Sequence, residues 1–293
     1  MRPKIEFDLN LIKKYEKVKP PFYTTYPTGG EWSNDFNSDD YLRALEEALP
    51  QGREVPMALY VHIPFCAKLC YFCFCITIIT NDRNKINSFT DYLFREIDML
   101  CEFFKKKNIR PKVKEIHLGG GTPTHLTRPE FDAMIDKLKQ LADVNHLDEF
   151  ALEIDPRTVQ KEDLPYYFSK GINRISFGIQ DFEPKVQKAI NRIHSPELIS
   201  SFITPDLRKC SVNFDLIYGL PQQTRESLKS TIQEVKKMAP DRISLYNYDH
   251  TPGIHSHMHF LDKYDIPTVD LKTQMYLDSV QDLLENGYEW IGI

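Results

Sequence analysis

No apolar stretch in this chain of 293 residues approaches the roughly 20 residues needed to span a bilayer as a helix. Basic residues gather in no long block, Lys105 to Lys107 being the longest run, and the formal charge is −5. A sequence-wide electrostatic attraction to nucleic acid is therefore not expected. Glu6 and Asp8 interrupt the amino-terminal hydrophobics, which lack the basic-then-apolar pattern of a signal peptide, so cytoplasmic residence is expected. No low-complexity linker breaks the chain. Disulfide spacing is also missing: of six cysteines, four crowd between Cys66 and Cys75, a pattern that suits metal ligation in a reducing compartment better than cross-linking. Cys101 continues an apolar helical stripe with Leu93, Ile97, Leu100 and Phe104 and reads as a small core residue, as does Cys210.

What is present is a core-forming composition, with 41% apolar residues, and a repeating unit. Each unit is a β-branched or aromatic run, a loop of small or polar residues, and a helical pattern. Strands are expected at Leu59–His62, Glu115–Leu118, Phe150–Ile154, Arg174–Phe177, Asn213–Ile217, Arg242–Tyr246 and Glu289–Ile293. Helices are expected at Thr90–Lys107, with Pro129 in the first turn of the next, from near Lys161 with Gly171 just past its end, and over Arg225–Ala239, where Thr224 caps and Leu228, Ile232 and Val235 face inward.

Such alternation makes the fold class α/β, with an incomplete (β/α) barrel of parallel strands favoured over a doubly wound open sheet. In these barrels active sites gather at the carboxyl ends of the strands. The cysteines follow the first strand, Gly119-Gly120-Gly121-Thr122 the second, Asp155 the third, Gln180 the fourth, Gly219 the fifth and Asp249-His250 the sixth, which places six motifs on one face. Residues 1–50 do not fit the repeat; Pro20 to Thr28 reads as an extended arm packing on the barrel of residues 51–293.

The spacing Cys66-x3-Cys70-x2-Cys73 lets one loop offer three thiolates to a four-iron cubane and leave the fourth iron free of protein, with Tyr71 and Phe72 shielding it. A structural zinc site using Cys66, Cys70, Cys73 and Cys75 is the competing reading, although it normally draws on two separate knuckles. His250, His255, His257 and His259 also invite a metal, but short histidine tracts are weak signals.

His62-Ile-Pro-Phe-Cys66, the three-cysteine spacing, Gly119-Gly-Gly-Thr-Pro-Thr124, Glu153-Ile-Asp-Pro-Arg157, Gly178-Ile-Gln-Asp-Phe182 and Asp215-Leu-Ile-Tyr-Gly-Leu-Pro221 together resemble the radical S-adenosylmethionine (SAM) family. Cys75 and Tyr23-Thr-Thr-Tyr-Pro-Thr28 favour its branch of oxygen-independent coproporphyrinogen oxidases over the related heme chaperones. The resemblance implies a radical SAM partial barrel with a [4Fe-4S] cluster on Cys66, Cys70 and Cys73. It implies two SAM molecules contacted by Tyr60, Phe72, Cys75, Gly120, Gly121, Thr122, Glu153, Gln180, Arg192, Asp215 and Asp249. The implied reaction is oxidative decarboxylation of two propionates of a porphyrinogen substrate by a 5′-deoxyadenosyl radical. An electron donor such as flavodoxin or ferredoxin and a monomeric state are implied as well.

Four departures from the pattern bear on activity. Phe74 stands where Gly is usual, which threatens a position of positive φ; Phe22 replaces an Arg; and Asp249 brings a carboxylate to the SAM pocket. The chain ends in an expected strand where relatives continue through a carboxyl-terminal region, so a shortened, less active homologue is an alternative, beside a heme-binding chaperone.

Overall fold

The computed structural model describes residues 8–15, 31, 33–49 and 54–291. Contacts divide the chain into one unit of Met1–Ala48 with Trp290–Ile293 and another of Leu49–Glu289. In the first, helix α1 (Leu9–Tyr15) is capped by Asp8, whose carboxylate accepts the amides of Asn10 and Leu11 at 2.9 and 3.1 Å. Helix α2 (Ser38–Ala48) is capped by Asn37, which accepts from Asp39 and Asp40. Those two acids also meet the positive end of the helix dipole. Pro20 to Thr28, expected to be extended, and Phe22 lie outside the described residues.

The second unit is the expected α/β repeat. Strand β1 (Pro56–Ile63) is followed by the short β2 (Phe65–Cys66) and β3 (Ile78–Ile79), helix α3 (Arg83–Lys106) and β4 (Lys112–Gly120). Then come α4 (Arg128–Leu138), β5 (Glu149–Ile154), α5 (Leu164–Phe168), β6 (Arg174–Gln180), α6 (Pro184–Ala189), α7 (Pro196–Phe202), β7 (Ser211–Tyr218), α8 (Arg225–Met238), β8 (Arg242–Asn247) and α9 (Val269–Glu285).

Six strands form one parallel sheet in the order β1-β4-β5-β6-β7-β8. A doubly wound sheet reverses its order at a switch point; this one advances in a single direction, and β1 and β8 do not pair. The incomplete barrel is therefore the architecture. The middle strands are apolar on both faces because one side packs inside the curve and the other under helices: Phe150, Leu152, Ile175, Phe177, Val212 and Phe214 are all fully buried. Inward residues of α8 are Leu228, Ile232 and Val235, as expected.

Three features differ from expectation. Helix α3 begins at Arg83, not Thr90, because Asp82 accepts the Asn84 amide at 3.0 Å and starts the helix early. Cys101 on that helix and Cys210 are half-buried and not fully internal. The strand expected at Glu289–Ile293 does not form over its described part. Helix α9 ends in a Schellman turn, with Gly287 at φ 97° and the Tyr288 amide on Leu283 O, and the Tyr288 hydroxyl donates to Pro240 O at 2.7 Å.

Candidate active site

The cysteine loop departs from the carboxyl end of β1 and closes on itself through the β2–β3 ribbon, in which Ile78 N donates to Pro64 O at 2.7 Å and Thr80 N to Cys66 O at 3.1 Å. Its interior is tied to the rest of the barrel mouth. Tyr71 N donates to Ile190 O at 3.1 Å, Asn191 Nδ2 to Leu69 O at 2.8 Å, and His257 Nε2 lies 2.9 Å from Cys73 O. Cys70 and Phe72 are buried in an apolar cluster with Val186, Ile190, Ile217, Leu220, Tyr248 and Leu261, and Tyr71 packs at its border against Phe260, 4.7 Å between ring centres. Phe72 is buried and Tyr71 half-buried beside Cys70 and Cys73, the positions from which the sequence reading has them shield the loop.

Each thiol has a different partner. Cys66 Sγ lies 3.4 Å from Thr122 Oγ1, and burial pushes its pKa up to about 11. Cys70 Sγ accepts from both Arg157 Nη2 and Arg192 Nη1 at 3.4 Å. Cys73 and the exposed Cys75 share a hydrogen bond that raises the first and lowers the second. Among the described residues no three cysteine, histidine or acidic side chains converge on a single ion. A lone zinc on Cys66, Cys70, Cys73 and Cys75 therefore does not match the geometry. A cubane makes a different demand, because its irons sit at separate corners and need three thiolates around them rather than at one point, and this one loop carries three.

The histidine tract is likewise accounted for. His250 and His259 both bond Asp262, at 2.9 and 2.8 Å, His257 holds the cysteine loop, and His255 packs edge-on against Phe74 at 4.9 Å. Among the described residues the four rings do not converge on one point. Phe74 itself is not among the residues of positive φ, so the strain expected from a bulky side chain there is absent.

Beyond β4 the glycine loop is shaped by what surrounds it. A Cβ on Gly119 would stand 2.8 Å from Glu153 Oε1; on Gly120, at φ 113°, 2.8 Å from the His62 ring; and on Gly121, 2.7 Å from the Pro64 carbonyl. At Gly121 only hydrogen lets the chain lie this close to the Pro64 backbone, and the positive φ of Gly120 disfavours any side chain there, whereas the carboxylate facing Gly119 is the movable end of Glu153. Glu153 accepts from the Gly120 amide at 3.2 Å and lies 2.8 Å from His117 Nε2. Tyr60 stacks on His117 at 5.7 Å and its hydroxyl is 3.0 Å from His62 Nδ1. Desolvation, with Glu153's charge in support, pushes that hydroxyl up to about 12. A carboxylate, open backbone groups and an aromatic face suit the amino-acid end of a zwitterion.

On the opposite wall Gln180 ends β6 at φ 71°, where the register with β7 shifts. Arg192 bonds Gly178 O through Nε and Nη2 at 2.9 and 2.5 Å. Asp155 receives Arg192 Nη1 at 3.2 Å and Arg157 Nη2 at 2.6 Å. Burial opposes the charge of Asp155, but Arg192 and Arg157 outweigh it and lower its pKa to about 2. Asp215 lies on β7, accepting from Ser176 Oγ and Asn213 Nδ2 at 2.9 Å each, and burial pushes its pKa upward. Asp249 is exposed just beyond β8; burial lowers the pKa of Lys272 on α9, and the charge of Asp249 opposes that shift.

Thirteen of the fourteen sequence-expected site residues are thus carried by the cysteine loop, by strands β1 and β4 to β7, or by the loops that follow the strands, and Arg192 comes from the connection between α6 and α7. His117 and Arg157 were not singled out from sequence. Arg157 sits inside the quoted Glu153–Arg157 motif, which is the signal that was available. His117 becomes visible only through the β4–β5 register, which pairs it with Ala151 and makes Glu153 its diagonal neighbour.

The architecture is thus an incomplete parallel barrel with three thiols in one loop and a glycine turn on the neighbouring strand. Residues 60–235 match the radical SAM superfamily, and the chain belongs to that superfamily. Its members imply a [4Fe-4S] cluster and SAM. The chain is 37% identical over 291 residues to the oxygen-independent coproporphyrinogen III oxidase of Escherichia coli K12, covering 99% of this chain and 62% of that protein. The enzyme of the same name from Helicobacter pylori J99 is 35% identical over 289 residues, with 98% and 62% covered. The solved coproporphyrinogen III oxidase (HemN) from Escherichia coli, described as a radical SAM enzyme, superposes with a TM-score of 0.85 at 35% identity, over 99% of this chain and 64% of that one. The chain thus spans a little over three fifths of the length of these relatives.

Proposed function

We propose that this chain carries the catalytic barrel of an oxygen-independent coproporphyrinogen III oxidase, which converts two propionates of coproporphyrinogen III to vinyl groups. The observation that carries the reading is the meeting of the thiol loop, the glycine cradle and Glu153, Gln180, Arg192 and Asp215 at one end of the sheet. Identity to the oxidases along nearly all of the chain supports the choice of substrate. Cys66, Cys70 and Cys73 hold three irons. Gly120, Gly121, Thr122, Glu153 and Tyr60 take one SAM, and Phe72, Cys75, Gln180, Arg192, Asp215 and Asp249 serve a second.

When bound, the cluster and SAM supply a low-potential electron and a carbon radical able to remove hydrogen from the propionate. The protein's own work is placement and exclusion. Glu153, held by His117, anchors an ammonium near the thiol loop, and the Gly120 amide fixes its other oxygen. Phe72 and its apolar neighbours keep water and oxygen from the sulfurs. Arg192 offers a guanidinium that a carboxylate can share with Asp155. An electron donor of the flavodoxin or ferredoxin type is part of the proposal.

Anaerobic reconstitution tests it. Four irons and four sulfides per chain are expected, with 5′-deoxyadenosine formed from SAM and a monovinyl or divinyl product from coproporphyrinogen III. A fully loaded protein that forms no 5′-deoxyadenosine with reductant, SAM and substrate present would overturn the reading.

A further inference from the structure

We propose that Arg157 is a positioning residue that raises the reduction potential of the cluster through the sulfur of Cys70. The proposal rests on the thiol loop being a cluster ligand, and it concerns a residue outside the SAM-contact set. Arg157 is chelated by Asp155: its Nε lies 2.9 and 3.2 Å from the two carboxylate oxygens and its Nη2 is 2.6 Å from Oδ2. Its Nη1 donates to Asn191 O at 3.1 Å. That fork leaves one Nη2 hydrogen, which meets Cys70 Sγ at 3.4 Å. Asn191 in turn holds the cysteine loop through Leu69 O, so the guanidinium and the sulfur are fixed by one set of bonds.

A structural ion pair would need only the Asp155 contact. Here the same guanidinium is aimed past its carboxylate at a sulfur, and Arg192 does likewise from the other side. Two guanidiniums and one carboxylate leave one net positive charge against Cys70. The side chains of Arg157, Arg192 and Asp155 are 17, 9 and 10% exposed, and Cys70 is buried. In such surroundings a charge acts with little screening. Hydrogen bonds and positive charge at a ligand sulfur withdraw electron density from the cluster and favour the state that has gained an electron. A guanidinium stays charged at every accessible pH, so this bias does not titrate away. The step concerned is the uptake of one electron, from an external reductant, by the 2+ cluster to give the 1+ state.

The test compares wild type, Arg157→Lys and Arg157→Gln, each reconstituted without air and titrated with dithionite against redox mediators without SAM. Iron content and the electron paramagnetic resonance signal of the reduced cluster are recorded. The expected result is unchanged iron content and a lower midpoint in Arg157→Gln, so that the reduced-to-oxidised ratio at a fixed potential falls about tenfold or more. Arg157→Lys, which keeps charge but not the fork, should fall between. Equal midpoints in all cluster-bearing proteins overturn the proposal. So does loss of the cluster from Arg157→Gln with an unshifted Arg157→Lys, or from both variants, since the residue then serves assembly only. Failure of the wild type to take up iron sinks the reading of the loop itself, a separate outcome.

Discussion

The imidazole of His117 lies 2.8 Å from the carboxylate of Glu153 across neighbouring strands β4 and β5, with the ring of Tyr60 stacked on its face. The pair fixes one rotamer of the carboxylate beside the glycine loop. His117→Phe keeps the stack and deletes the Nε2 donor. Loss of one hydrogen bond to a charged group is worth about 1.5 kcal/mol, so SAM affinity of the reconstituted protein should fall about tenfold. Equilibrium dialysis reads this directly, and an unchanged dissociation constant would show that Glu153 needs no such support.

Gly121 is set by its neighbours rather than by its backbone angles. A Cβ there would meet the carbonyl carbon and oxygen of Pro64, both at 2.7 Å, and backbone cannot swing aside as a side chain can. Gly121→Ala should cost about 1–3 kcal/mol of stability, as overpacking does, and should pull the glycine loop from the cysteine loop. The Gly121 amide on Ile63 O, 2.8 Å, would be lost with it. Urea unfolding gives the energy, and iron uptake the local effect.

Most of the barrel was legible because its causes are local. Strand positions follow from the apolar runs at Phe150–Ile154 and Arg174–Phe177, and Thr224 announces α8 by its capping chemistry. The cysteine loop was legible for the same reason, since three cysteines lie within eight residues. What escaped depends on register or on distant partners. His117 shares a face with Glu153 only after β4 and β5 pair. Arg157 reaches Cys70 only because Asp155 bends it back. The apolar Trp290-Ile-Gly-Ile run resembled a strand, but the turn at Gly287 and the tether of Tyr288 to Pro240 are long-range and local facts that hydropathy does not encode.

His194 gives the fold a pH dependence. It is buried, donates from Nε2 to Ile179 O at 2.8 Å, and leaves Nδ1 without a partner. Burial, aided by the charge of Arg192, lowers its pKa from 6.5 to about 4. The unfolded chain therefore binds a proton that the folded chain refuses between these values. The stabilising contribution is complete above about pH 6.5 and is lost as pH falls towards 4. From pH 7 to pH 5 it amounts to about 2 kcal/mol. His194→Gln can keep the bond to Ile179 without the titration, so its unfolding free energy should fall by about that much less over the same interval. Parallel pH profiles for the two proteins would contradict this assignment.

Ala239 ends α8 in the left-handed region, at φ 47° and ψ 62°, with its amide on Val235 O and Lys236 O. An L-residue is strained there by its own Cβ, and the proline that follows narrows its choices further. Glycine is the usual residue at such a helix end because it adopts this conformation without penalty. Its larger freedom in the unfolded chain works in the opposite direction and takes back part of the gain. The bond from Arg208 Nη1 to Ala239 O, 2.6 Å, uses the backbone carbonyl and survives the change. Ala239→Gly should therefore stabilise the protein by about 0.5–1 kcal/mol, raising the urea midpoint at constant slope. Ala239→Val should lower it, since branching at Cβ sharpens the same clash. The two substitutions touch none of the site residues, so iron uptake should be equal in both, and a fall in stability for the glycine variant would mean that the strain at this turn is already relieved by its neighbours.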